Sequence, residues 1–342
     1  MEGTNAAKHL GDGCAKRLAI ASAMLLLAAD SLCAGPAHAL RVLVTNDDGI
    51  GAAGIAAVVE QLVANPELEV HVVAPAQNQS GTSDRFTDGP LTVTPSQTSS
   101  GEPGMAVAGF PSDTVLFAVL QLDLDPELVV SGINQGQNVA ELTLLSGTVG
   151  AARTAARFGI PAFAVSQGLS TAIDYTEAAA ATASFVEMFR TNASFRRLLE
   201  GTPGTPDALI LNLNYPTCEQ GTLRGLRVVG LGQTRTVTGY EPAPEPDVWI
   251  PQIRSNGIGS TDCRSTLEDP TTDLEAMNNG FASATPLSSD LEDASALNPL
   301  ARLLEPASES PGRERLARRG GPQSDGPTPI RRGLVPRLPS VP

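Results

Sequence analysis

The feature that most constrains this chain is Arg41-Val-Leu-Val-Thr-Asn-Asp-Asp-Gly-Ile50, an apolar run that stops at two adjacent carboxylates and a glycine. Behind it, the stretch from Gly54 to Ala64 carries apolar residues at Ile55, Val58, Val59, Leu62 and Val63. That i, i+3, i+4, i+7, i+8 spacing is the stripe of an amphipathic helix. Leu68-Glu-Val-His-Val-Val-Ala-Pro75 then reads as a second strand. Strand, helix and strand imply a parallel pair with a right-handed crossover. Asp47 and Asp48 therefore fall at the carboxyl end of the first strand, where open α/β sheets bind ligands. Two like charges side by side repel unless a cation holds them together. Two readings follow: a hard divalent ion, Mg²⁺ or Mn²⁺, on oxygen ligands, or an ordinary Asp-Gly turn.

Composition narrows the chemistry. A formal net charge of -14 and 4% aromatic residues argue against a binder of polymeric nucleic acid, which needs a positive field and stacking platforms. The only lysines are Lys8 and Lys16, and the only histidines are His9, His38 and His71. Without the N-terminal segment the chain has no lysine and keeps only His71, which sits inside an apolar strand and reads as structural. A Schiff base, a P-loop lysine, a paired-histidine zinc site and a Ser-His-Asp triad all lose their residues. Carboxylates, hydroxyls, amides, arginine and a bound metal remain.

That N-terminal segment reads as a secretory signal peptide over residues 1–39. Lys8, Lys16 and Arg17 precede the apolar run Leu18–Ala29, and Ala37-His-Ala39 is a small-x-small cleavage signature. The alternative, a signal anchor, asks a short run to span a bilayer. The expected product is exported, periplasmic or secreted, with no stable membrane span after cleavage. Cys14 and Cys33 leave with the signal, so Cys218 and Cys263 remain as an even pair in an oxidising compartment, and two readings stay open: one disulfide, or two thiols whose α-carbons lie too far apart to bridge.

Along the mature chain, Ala76–Asp84 is a polar loop at the same sheet edge, and Thr92-Val-Thr and Met105–Gly109 look like short strands. Gly109-Phe-Pro-Ser-Asp113 opens a helix with Ser112 or Asp113 as its N-cap. Pro126–Val130 is a buried strand that leads into a loop, Ser131-Gly-Ile-Asn-Gln-Gly-Gln-Asn138. Side-chain amides and close backbone approach suit a metal or phosphate there, and turn chemistry explains the same residues. Ser146-Gly-Thr148 at the start of a helix offers amides and hydroxyls to an anion, or simply caps the helix. Further strands are expected at Ile160–Ser166 and Ala208–Asn214, with a helix at Tyr175–Asn192 between them. From about residue 222 to 285 the pattern suggests hairpins. The folded domain is expected to run from 40 to 295, and residues 296–342, rich in Pro and Arg, to be a disordered tail.

The loops Asn46-Asp-Asp-Gly49, Asn78-Gln-Ser-Gly81, Ser131-Gly-Ile-Asn134 with Asn138, and Ser146-Gly-Thr-Val149 come in one order. In that order they resemble the SurE family, stationary-phase survival proteins that are metal-dependent 5'/3'-nucleotidases. Gly109–Asp113, Leu211–Pro216, Thr272–Ala276 and Thr285–Leu287 look like family segments too, so the resemblance covers about residues 41–290. It implies a Rossmann-like three-layer α/β/α core with a mainly parallel sheet. It also implies a C-terminal hairpin extension that exchanges between subunits of a homodimer or homotetramer. It implies one divalent metal, Mn²⁺ or Mg²⁺, on Asp47, Asp48, Ser80 and Asn134, with Asp47 and Asp48 as the catalytic carboxylates. Asn46, Asn138, Ser146, Gly147 and Thr148 would line the phosphate site. The chain departs from the pattern at Gly51-Ala-Ala53 and at Thr154, both beside the site. The implied reaction is hydrolysis of nucleoside monophosphates. A broader metal phosphatase or exopolyphosphatase, and a secreted nucleotide-binding protein without turnover, are the alternatives.

Overall fold

Leu40–Thr45 (β1) is buried on both faces, with Val42 and Val44 on one side and Leu43 on the other. A strand of that kind needs a layer of helix on each side. The computed structural model describes residues 38–170, 172–201, 208–245, 247–258, 261–289 and 294–305. The expected signal peptide and the expected tail beyond 305 lie outside the described residues.

The first half follows the predicted crossover. Ala53–Val63 (α1) links β1 to Leu68–Pro75 (β2), and the two strands pair in parallel. Val93–Gln97 (β3) and Pro103–Val107 (β4) extend the sheet outward from β2. Pro111–Leu120 (α2) returns the chain to Leu128–Gln135 (β5), on the other side of β1. Gly147–Arg157 (α3), Ala162–Gln167 (β6), Thr176–Thr191 (α4), Ala193–Glu200 (α5) and Ile210–Tyr215 (β7) continue in that direction. The remaining elements are Leu226–Val228 (β8), the hairpin Arg235–Pro242 (β9) and Trp249–Ser255 (β10), Asp273–Asn278 (α6), Ala282–Leu287 (β11) and Ala294–Leu304 (α7).

The main sheet has nine strands in the order β3-β4-β2-β1-β5-β6-β7-β11-β8. Its order reverses between β1 and β5, which makes the crevice at their carboxyl ends the topological switch point. One face packs Ile55, Val58, Val59, Phe185, Phe195 and Leu300 from α1, α4, α5 and α7. The opposite face packs Val115, Val149 and the alanines of α3. This is the three-layer α/β/α architecture implied by the sequence. Among the described residues, no helix is long and apolar enough to cross a membrane.

Four local expectations need correction. The segment 131–135 is the end of β5 rather than a loop, with a register shift between Ser131 and Asn134. A shift of register releases the chain from strict alternation and re-aims the side chains after it. The N-cap of α2 is Phe110, with Pro111 at the first helical position and Asp113 in the first turn receiving the Phe110 N–H. Leu226–Val228 pairs in parallel with β11 inside the main sheet, so the hairpin expected over 222–285 is confined to β9–β10. Finally, α7 buries Ala296 and Leu300 against the core, which carries the folded chain past the expected boundary at 295.

The α1 start is tied to β5 by a missing side chain. A Cβ at Gly54 would collide with the Ile133 carbonyl oxygen and come 3.3 Å from Tyr175 Cε1. Gly51 has open space around the same position. Gly54→Ala is expected to destabilise the fold by about 1–3 kcal/mol, and Gly51→Ala to be near neutral, as read by urea unfolding monitored by circular dichroism.

Candidate active site

The end of β1 is shaped by Asn46. Its amide donates to the Gly49 carbonyl at 2.8 Å and its Oδ1 accepts the Gly49 N–H at 3.2 Å. This small side-chain turn sends Asp47 inward and leaves Asp48 half-buried at the mouth. Asn46 is completely buried and does not border the cavity. Both ends of its amide are engaged in building the loop.

Asp47, only 2% exposed, faces the start of α3. The Thr148 hydroxyl donates to Asp47 Oδ1 at 2.6 Å, and the Thr148 backbone N–H also reaches the carboxylate. A Cβ at Gly147 would lie 2.8 Å from Asp47 Cβ, so only glycine lets the helix come this close. The positive end of the α3 dipole thus faces the carboxylate. Thr148 is fully buried, and its hydroxyl orients Asp47. Ser146 caps α3 by accepting the Val149 N–H at 3.1 Å.

Asp48 is held by different elements. Its Oδ2 accepts the Gln135 N–H at 2.8 Å, across the switch point from β1 to β5. Its Oδ1 accepts the Asn78 amide at 2.9 Å, and Asn78 Oδ1 in turn accepts the Ser80 N–H at 2.9 Å. The Asp47 carbonyl accepts the Gln79 N–H at 2.7 Å. The loop bearing Ser80 is pinned to both aspartates. Asn134 donates its amide to the Gly136 carbonyl at 2.6 Å. Asn138 accepts at its carbonyl from the Asn212 and Asn214 amides, gives its N–H to Asn214 and its amide to Ser166.

A cavity of about 210 Å³ is bordered by Asp47, Ser80, Asn134, Gln135, Asn138 and Ser146 among others, and Asp48 is tied to its wall through the Gln135 N–H. Among the described residues no side chain bonds Asp47 Oδ2, Ser80 Oγ or Asn134 Oδ1. Among those residues no cluster of three or more His, Cys, Asp and Glu side chains forms. A cation here would have to complete its shell from hydroxyl and amide oxygens. Two carboxylates with neutral oxygens suit a hard ion and give a soft one nothing. The donor set therefore fits a hard divalent cation.

Electrostatics point the same way. Burial pushes the Asp47 carboxyl up to about 6, against the lowering bond from Thr148 and with a further rise from the Asp48 charge. Asp48 is also raised, first by burial, against the Gln135 and Asn78 bonds that lower it. A pair that resists double ionisation in the empty fold is relieved when a cation arrives.

The order of these loops also carries a lineage. A family model described as survival protein SurE matches residues 42–238. The chain belongs to the SurE family. A 5'-nucleotidase SurE from Rhizorhabdus wittichii is 36% identical over 265 residues, covering 75% of this chain and 97% of that protein. One from Chloroflexus aggregans is 37% identical over 272 residues, covering 77% and 98%. The crystal structure of SurE from Aquifex aeolicus superposes with a TM-score of 0.55 at 29% identity, covering 77% of this chain and 99% of that one. Set in the SurE frame, the sequence reading missed Asn78, Gln135, Asn212 and Asn214 as supports of the site. The last two carried a visible signal, two amides alternating with leucine in a strand that is otherwise apolar.

An ordinary aspartate titrates near 3.8 and Asp47 in the cation-free fold near 6. The fold therefore binds this proton more tightly than the unfolded chain does. The destabilising effect of ionising Asp47 is absent below pH 3.8, grows between 3.8 and 6, and is full above 6, on the order of 3 kcal/mol. With cation chelated, Asp47→Asn is expected to melt higher than the parent at pH 8, with the gap closing by pH 4, in thermal scans across pH.

Proposed function

We propose that this protein hydrolyses nucleoside 5'-monophosphates, and 3'-monophosphates, to nucleoside and phosphate with a divalent cation. The observation that carries this is the set of oxygens that no other side chain bonds, Asp47 Oδ2, Ser80 Oγ and Asn134 Oδ1, around one cavity at the switch point. The two curated SurE relatives are named 5'-nucleotidases, which supports the substrate class.

When bound, Mn²⁺ or Mg²⁺ would draw charge from the phosphoryl oxygens and acidify a water. The chain's own residues do the rest. The carboxylates of Asp47 and Asp48 hold the ion, and one of them takes the proton from the attacking water. Water oxygen bonds to phosphorus, the bond from phosphorus to the nucleoside oxygen breaks, and that oxygen leaves with a proton. Ser146 and the Gly147 N–H, at the positive end of α3, meet the phosphoryl oxygens. Asn138, fixed by Asn212 and Asn214, is part of the same cavity wall. No lysine or histidine borders this cavity, so charge neutralisation falls to the cation and to backbone and side-chain dipoles.

The same reading takes the protein to be exported through the segment 1–39, to the periplasm or beyond. Its support is the N-terminal pattern and the Cys218–Cys263 disulfide, whose α-carbons stand 5.7 Å apart. It also takes the protein to be a homodimer or homotetramer built on β9–β10. On that hairpin Val237, Tyr240, Trp249, Ile250 and Ile253 are all more than half, or half, exposed. Two cavities of about 570 and 500 Å³ open at its root, sharing Leu231, Gly232 and Gln233. Five large apolar side chains exposed on one hairpin support an interface there.

Phosphate release from nucleoside monophosphates should vanish in EDTA, return with Mn²⁺ or Mg²⁺, and fall more than about a hundredfold in Asp47→Asn, beyond the loss from an outer-shell change. A folded, cation-loaded protein that cleaves polyphosphate or a simple aryl phosphate but no nucleotide would overturn the substrate assignment. In sedimentation velocity, the protein should run as a dimer or tetramer and Trp249→Glu should shift it toward monomer. A parent that is monomeric at tens of micromolar would refute the hairpin interface.

A further inference from the structure

We propose that the Cys218–Cys263 disulfide acts through Thr217 as a positioning brace for the cation-binding side of the site. The inference rests on the assignment of Asp48 and Asn134 as cation ligands. Thr217 follows the end of β7 and is bonded twice to the end of β6. Its hydroxyl donates to the Gly168 carbonyl at 2.5 Å and accepts the Gln167 side-chain amide at 3.0 Å. The Gln167 amide also reaches the Pro216 carbonyl, and Gly168 N–H donates to the Tyr215 carbonyl at 2.7 Å. The Gln167 carbonyl accepts the Gly136 N–H at 2.8 Å, and Gln135 is in register with Gln167. Gly136 holds the Asn134 amide, and the Gln135 N–H holds Asp48. A continuous run of short hydrogen bonds therefore leads from Thr217 to two of the four ligands.

The disulfide fixes the start of this run. Cys218 is the next residue after Thr217, and Glu219 to Thr222 beyond it are exposed. Its partner Cys263 is 6% exposed and seated on the end of α6, where a Cβ at Gly280 would lie 2.6 Å from Cys263 Cα. The neighbouring Asp262 N–H is bonded to the Asn278 carbonyl. Cleaving a cross-link that spans 45 residues leaves the 217–222 segment held to Cys263 only through the Gly221 bridge, and the Thr217 bonds then work against a larger conformational freedom. The core beneath, in β6 and β7, stays packed on both faces. The expected consequence is a loosened ligand edge on an intact fold.

The test measures Mn²⁺ binding by calorimetry on the purified protein, oxidised and after dithiothreitol. The dithiol gives two electrons and two protons to the cystine, leaving two cysteine thiols and a cyclic disulfide. The dissociation constant is expected to rise about tenfold on reduction, the lower end of an outer-shell effect. Cys218→Ser/Cys263→Ser and Thr217→Val should match it, and Thr217→Ser, which keeps the hydroxyl, should restore tight binding. For Thr217→Val the thermal midpoint should move little while the Mn²⁺ affinity falls. Equal Mn²⁺ affinity in the oxidised, reduced and Thr217→Val proteins would overturn the brace and leave the disulfide as a staple for the hairpin root. An oxidised parent that binds neither Mn²⁺ nor Mg²⁺ would overturn the ligand assignment, and the brace with it.

Discussion

The ligand edge depends on how two adjacent carboxylates are held where, among the described residues, no cationic side chain pairs with either of them. The solution divides the pair between elements. Asp47 is turned onto the start of α3, where a hydroxyl, an amide and the helix dipole meet it. Asp48 is turned across the switch point onto β5 and the loop after β2. Each carboxylate thereby ties together parts of the chain that are distant in sequence. The geometry of the site and the packing of the central strands are two aspects of one arrangement.

Much of this was legible in the sequence. The apolar periodicity of β1, α1 and β2 gave the crossover, and the crossover put the aspartates at the ligand edge. The Ser146 cap and the polar loop after β2 were also readable, because each is a local pattern with a local cause. Other parts were not. Asn46 and Thr148 are residue types that suit a phosphate, and nothing in their neighbours reveals that a buried turn and a buried carboxylate engage them first. The strand character of 131–135 was hidden because Gly132 and Asn134 carry turn propensity, which pairing with β6 overrides. The place of β8 depends on β11, far along the chain, and no window of sequence contains both.

Buried amides do here what lysine and histidine do in many other sites. Asn138, Asn212 and Asn214 are buried and neutral, so they can be packed behind the site without a charge of their own to desolvate, while the exposed Asn78 reaches Asp48 from the loop after β2. They fix positions by hydrogen bonds and leave field strength to the ion and the helix dipole. A site of this kind is inert until it is loaded, because its own residues carry little positive potential.

The insertion of β11 between β7 and β8 has a further consequence, for the order in which the molecule can assemble. β7 finds its outer neighbour only in residues 282–287, and β8 has no place in the sheet until that same strand arrives. Until then the apolar β7, with its row of unpaired backbone groups, is an open edge of the kind that recruits other chains. Such long-range closure is slow relative to the local crossovers of the first half. A chain emerging N-terminus first thus carries a nearly finished ligand edge while its sheet is still open on one flank. During that interval, protection from aggregation rests on whatever receives the nascent polypeptide.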